Sequence, residues 1–95
     1  MNAHPNRGRR YTYAEIELCY RVASSAENAA ALAARLGRTV PAIQFVWRWM
    51  DGHVANFPEK AHGNILKLVV QARARLGVEA RGSWIRLGET ATGAA

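Results

Sequence analysis

The chain of 95 residues is 49% hydrophobic and 21% charged, a globular composition that excludes a disordered chain and supports one small core without a deep cleft. Its 13 Lys and Arg stand against 7 Asp and Glu, and the net charge of +6 favours a polyanionic partner, nucleic acid ahead of membrane. No apolar run is long enough to span a bilayer, and the start shows no secretory pattern. The single cysteine, Cys19, cannot close an internal disulfide, so a cytoplasmic, nucleoid-associated location is expected.

Residues 1–10 (MNAHPNRGRR) are polar and end on a basic cluster, and they read as a flexible basic arm. Thr12 and Glu15 have the spacing of a capping box, in which each side chain satisfies a backbone donor of the other. A first helix therefore begins after Thr12, with Ile16, Cys19, Tyr20 and Ala23 on its buried face. Ser24 and Glu27 repeat the spacing and open a second helix, which runs through an alanine-rich stretch to Leu36. Gly37 ends that helix in the left-handed conformation, which costs glycine little. Four residues earlier, Ala33 is short enough for two helices to cross closely, and Leu32 and Leu36 lie on the buried stripe. Thr39 caps a third helix from about Val40 to Met50, with Pro41 in its first turn, where no donor is lost. Val40, Ile43 and Val46 repeat every three residues and face back onto the second helix.

Three helices with a glycine turn before the last predict a helix-turn-helix. The residues Tyr11-Thr12, Glu15, then L-A-A-R-L-G-R-T (32–39) with Ala42 and Ile43 resemble the Myb/SANT-like group of homeodomain-like DNA-binding domains. Small bacterial and phage regulators carry similar versions. The resemblance covers residues 10–52, with Tyr11 or Tyr13 in place of the tryptophan that commonly opens the first helix. It implies a sequence-specific double-stranded DNA-binding protein, a small transcriptional regulator with its third helix, Thr39 to Met50, in the major groove. The third helix departs from the family pattern, because between Val40 and Met50 only Gln44 and Arg48 are polar.

With Ile43, Val46, Trp47 and Met50 turned inward, the outward face of that helix carries Pro41, Gln44, Phe45, Arg48 and Trp49. Gln44 suits an adenine edge, Arg48 a guanine or a phosphate, and Phe45 a thymine methyl group. Phe45 and Trp49 fit two other roles, as core covered by the C-terminal half or as a protein-binding groove. Arg7, Arg9 and Arg10 stand where a basic arm reaches a minor groove. Arg35 and Arg38 flank the turn and are placed for phosphates, Arg38 aided by the N-terminus of the third helix. The DNA-facing set is thus Arg7, Arg9, Arg10, Arg35, Arg38, Thr39, Pro41, Gln44, Phe45 and Arg48.

Residues 53–57 form a link, followed by a fourth helix from Pro58, or from Asn64 if Gly63 interrupts it, to Leu76. Ile65, Val69, Ala72 and Leu76 make its apolar stripe. The tetrapeptide ARLG ends both this helix and the second, but alignment on the glycine puts Arg73 where Ala33 stands, so no second close crossing follows. The stripe covers the three-helix core or pairs two copies in a homodimer suited to palindromic operators. Val78 to Leu87 suggest either a short β-hairpin like the wing of winged-helix proteins, with Arg81 and Arg86 near the DNA backbone, or a segment whose Trp84, Ile85 and Leu87 pack on the helices. The expected fold is all-α, a three-helix helix-turn-helix core with a fourth C-terminal helix, with or without this hairpin. The arm spans 1–10, the helix-turn-helix domain 11–52, the C-terminal extension 53–87 and a disordered tail 88–95.

Catalysis finds no support. His4, His53 and His62 are scattered and share no metal-ligand spacing with Cys19, and no Gly-rich loop follows a strand. Capping and solvated faces account for Glu15, Glu17, Glu27 and Asp51. No cofactor, metal or membrane partner is expected. The alternative function is a protein-interaction module, such as a phage-encoded modulator of a host protein, that uses the aromatics of the third helix or the fourth helix.

Overall fold

The computed structural model describes residues 9–51 and 59–87, with the side chains of 59–63 left aside. Arg7 and the rest of the arm to residue 8, the 53–57 link and the 88–95 tail lie outside the described residues. Within them the chain is all-α: α1 (Tyr13–Arg21), α2 (Ala26–Leu36), α3 (Val40–Met50), α4 (Glu59–Leu76) and a 3₁₀ turn at Val78–Ala80.

Each of the first three helices starts where a side chain relieves an orphaned backbone donor. Thr12 Oγ1 accepts from the Glu15 N–H at 3.3 Å, and the Glu15 carboxylate accepts from the Thr12 N–H at 3.0 Å. The second cap sits one residue later than the Ser24–Glu27 spacing suggests. Ser25 caps α2, its hydroxyl accepting from the Asn28 N–H at 3.1 Å, while the Ser24 hydroxyl accepts from Arg81 instead. At the far end of α2, Gly37 adopts φ 64° and ψ 37°, and the N–H groups of Gly37 and Arg38 both reach the Ala33 carbonyl. Thr39 then caps α3 by accepting from the Ala42 N–H at 3.2 Å, with Pro41 in the first turn. Two helices are thereby joined through a link too short to separate them.

The core is built from one stripe of each helix. Ile16, Cys19, Tyr20, Leu32, Ile43 and Val46 are sealed from solvent, and each large apolar side chain contributes about 1.5–3 kcal/mol by leaving water. α2 packs on α3, and α4 lies across α1 and α3, with Val69 and Ala72 buried. The fourth helix therefore covers the core, and Gly63 does not interrupt it. Two polar ties fix it there. Arg73 donates to the Met50 carbonyl at 3.0 Å, and the Tyr20 hydroxyl donates to the Gly77 carbonyl at 2.9 Å.

Residues 78–87 do not form the hairpin; Trp84 and Leu87 pack against the core instead, while Ile85 is exposed. After the 3₁₀ turn the chain crosses back over the α1–α2 junction, where Val22 and Trp84 make an isolated parallel bridge. Gly82 and Trp84 N–H groups donate to the carbonyls of Tyr20 and Arg21, and Ala23 N–H returns a bond to the Trp84 carbonyl. Those carbonyls belong to the last turn of α1, where no later helical N–H reaches them, and the returning segment supplies their donors. Asn28, itself buried, bridges the same seam, donating to the carbonyls of Ala23 and Ile85 and accepting from the Leu87 N–H. No helix among the described residues is long and apolar enough to cross a membrane.

Candidate nucleic-acid interface

Arg38 does not stand in the place the sequence assigns to it. Its side chain is 4% exposed and turned inward, with Nε 2.7 Å from one Glu15 carboxylate oxygen and Nη2 3.2 Å from the other. Such a forked pair is geometrically strong, and here it joins α1 to the α2–α3 turn. Two further donors reach backbone carbonyls, Nη1 to Arg9 at 3.0 Å and Nη2 to Arg10 at 3.1 Å. The guanidinium lies 3.7 Å from the centre of the Tyr11 ring. Arg38 is thus withdrawn from phosphate contact, because a partly buried carboxylate and two carbonyls hold its donors.

The electrostatics follow from that burial. Desolvation alone would raise the Glu15 carboxyl, but the Arg38 hydrogen bond, the Thr12 backbone bond and the Arg38 charge outweigh it and hold it below the ordinary value. Burial would lower Arg38, yet its bond to Glu15 and that carboxylate's charge raise it. Burial pushes the Tyr11 hydroxyl up to about 12, against the pull of Arg38. Burial, with the Glu15 charge adding to it, likewise pushes the Cys19 thiol up to about 12, so Cys19 behaves as packing rather than as a nucleophile.

What the turn leaves outside is the outer edge of α3. Pro41, Gln44 and Arg48 are exposed, while Ile43, Val46, Trp47 and Met50 on the opposite side are buried. Gln44 and Arg48 are one turn apart, and the edge from Pro41 to Arg48 runs about 10 Å, the length of about three base steps. Thr39 spends its hydroxyl on the cap at the start of that edge. Phe45 and Trp49 are half-buried and meet edge to face at 6.3 Å, so neither the core role nor the surface role describes them fully. Arg35, in the last turn of α2, is exposed, as are Arg9 and Arg10. The structure therefore brings the root of the arm against the α2–α3 turn through Arg38.

Glu15 and Tyr11 are the residues that sequence reasoning missed as parts of this arrangement. Glu15 was recognisable as a capping residue, but nothing local signals its second task, an ion pair 23 residues away. Arg81, expected near a DNA backbone, is also turned inward. It donates to the carbonyls of Tyr20 and Val22 and pairs with Asp51 at 3.0 Å, whereas Arg86 is exposed. No cluster of three or more His, Cys, Asp or Glu side chains suited to a metal ion occurs among the described residues. Neither a protein-family model, nor a curated protein, nor a solved structure matches this chain.

Proposed function

We propose that this protein binds double-stranded DNA through a helix-turn-helix formed by α2 and α3, as a small transcriptional regulator of bacterial or phage type. α3 enters the major groove with Gln44 and Arg48 towards the bases, and exposed arginines at positions 9, 10 and 35 contact the phosphate backbone or an adjoining groove. The observation that carries the reading is the two-sidedness of α3. One side is fully built into the core, and the other presents Gln44 and Arg48 to solvent beside a tight glycine turn. The net charge of +6 supports it.

Titrating labelled duplexes of random sequence at two salt concentrations, by gel shift, tests the reading. Binding that weakens steeply with salt is expected, and Arg48→Ala should cost about tenfold or more in affinity for the preferred duplex. Salt-independent binding, or an Arg48→Ala variant indistinguishable from the parent, would remove the proposal. One observation favours a second reading as a protein-interaction module, namely the half-exposed edge-to-face pair of Phe45 and Trp49 next to Arg48. On that reading Phe45→Ala abolishes partner capture and Arg48→Ala leaves it intact.

A further inference from the structure

Arg38 makes contacts to parts of the chain that have no other reason to meet. Its ion pair with Glu15 would be complete with the carboxylate alone. Two further donors instead grip the successive carbonyls of Arg9 and Arg10, whose side chains are exposed. The Tyr11 ring lies under the same guanidinium, and the Tyr11 carbonyl accepts from Asn64 of α4 at 3.3 Å. Three consecutive residues at the root of a basic segment are therefore tied down by their backbones, which leaves the arginine side chains free to act.

We infer that Arg38 is a positioning residue for Arg9 and Arg10: it fixes their backbone against the turn that opens α3, so that these two arginines and the helix engage nucleic acid as one surface. This inference rests on the DNA-binding reading given above and adds to it the residue that couples the two contact regions. Preorganisation of this kind spares the ordering cost that a loose arm meets on binding. Lysine cannot take over the role, since one ammonium lacks the planar fork that serves a carboxylate and two carbonyls at once.

The carbonyls that Arg38 holds are also the scissile carbonyls of trypsin at the Arg9–Arg10 and Arg10–Tyr11 bonds, which gives a readout without DNA. Limited trypsin digestion of the full chain, followed by mass spectrometry, should show both bonds cut slowly in the parent. In Arg38→Lys they should be cut at least about tenfold faster, the loss expected from a single charge-assisted hydrogen bond. Val69→Ala, which destabilises the core through α4, is the stability control and should leave both bonds protected. Equal cutting in the parent and Arg38→Lys, or equal acceleration in Val69→Ala, overturns the positioning role.

The consequence for binding is read from salt slopes on random duplex DNA. In the parent background, the double variant Arg9→Ala/Arg10→Ala should lower the slope by about 1.8, from two lost phosphate contacts. In the Arg38→Lys background the same pair of substitutions should change the slope by less than half as much. Full additivity of the two changes refutes the coupling. A parent chain with no salt-dependent affinity refutes the DNA reading and this coupling with it, while the trypsin rates separately decide whether Arg38 holds the arm.

Discussion

The tetrapeptide ARLG closes two helices of this chain, at 34–37 and at 74–77, and the two copies end differently. Gly37 takes φ 64° and ψ 37°, the ordinary left-handed cap, and the chain turns straight into Thr39 and a new helix. Gly77 takes φ 85° and ψ 160°, which sends the chain into a 3₁₀ turn and back across the α1–α2 junction. The residue after the first glycine, Arg38, is 4% exposed, and the residue after the second, Val78, is 66% exposed. Identical local signals thus stop a helix in both places, and the direction of departure is set by what the next residues find to bind. For Arg38 that is a carboxylate and two carbonyls; for the segment after Val78 it is the unsatisfied carbonyls between α1 and α2.

The sharpest break in the comparison lies four residues before each glycine. Ala33 is buried where α2 meets α3, so Ala33→Arg forces a charge into the core and should cost about 3–5 kcal/mol, a large share of the stability of a small domain. Arg73 holds the matching position on an exposed face, and Arg73→Ala should cost below about 1 kcal/mol. Thermal melts followed by circular dichroism check both, at about 4–8 °C per kcal/mol.

The positions after the glycines come next. Arg38→Met strips a buried pair of one partner and should cost about 3 kcal/mol, whereas Val78→Ala should stay within about 0.5 kcal/mol. The pair also sets a pH dependence. Because the Glu15 carboxyl is held below its ordinary value of 4.5, the stability it adds is complete above that value. It is lost as the pH falls through the lowered folded value. Urea melts across the acid range should show this loss in the parent, and in Arg38→Met the loss should shrink, since burial is then opposed only by the Thr12 bonds.

The smallest difference tests the glycines themselves. Asparagine tolerates the left-handed cap, so Gly37→Asn should cost under about 1 kcal/mol. At φ 85° and ψ 160° only glycine is at ease, so Gly77→Asn should cost about 1–3 kcal/mol. A Cβ there meets a Glu79 carboxylate oxygen at 3.0 Å, but that is the end of a flexible side chain, and the backbone decides the outcome.

Much of the fold was legible because its signals are local. The Thr12–Glu15 box, the Gly37 cap, the Thr39 cap with Pro41 behind it, and the 3.6-residue periodicity of α1 to α3 all act within one or two turns. Ser24 misled by one position because two serines stand in a row, and the competition between them is settled by Arg81, 57 residues away. The candidate site was legible only in part. Exposure of Gln44 and Arg48 follows from helical phase, but the burial of Arg38 depends on Glu15, Arg9 and Arg10 meeting it in space, and no spacing records that. The hairpin expected at 78–87 failed for a related reason. Its backbone donors found stronger claims at the α1–α2 junction than a short strand partner could make.

The indole of Trp47 donates to the Cys19 carbonyl at 2.9 Å deep in the core, whereas Trp49 and Trp84 are half-buried. Trp49 sits on α3 against Phe45, and Trp84 lies under the Arg21 guanidinium in the returning segment. The molecule consequently carries three built-in fluorophores, one for each of its parts. Trp47 emission tracks the interior, Trp49 emission responds to whatever touches the open helix edge, and Trp84 emission follows the release of the C-terminal crossing.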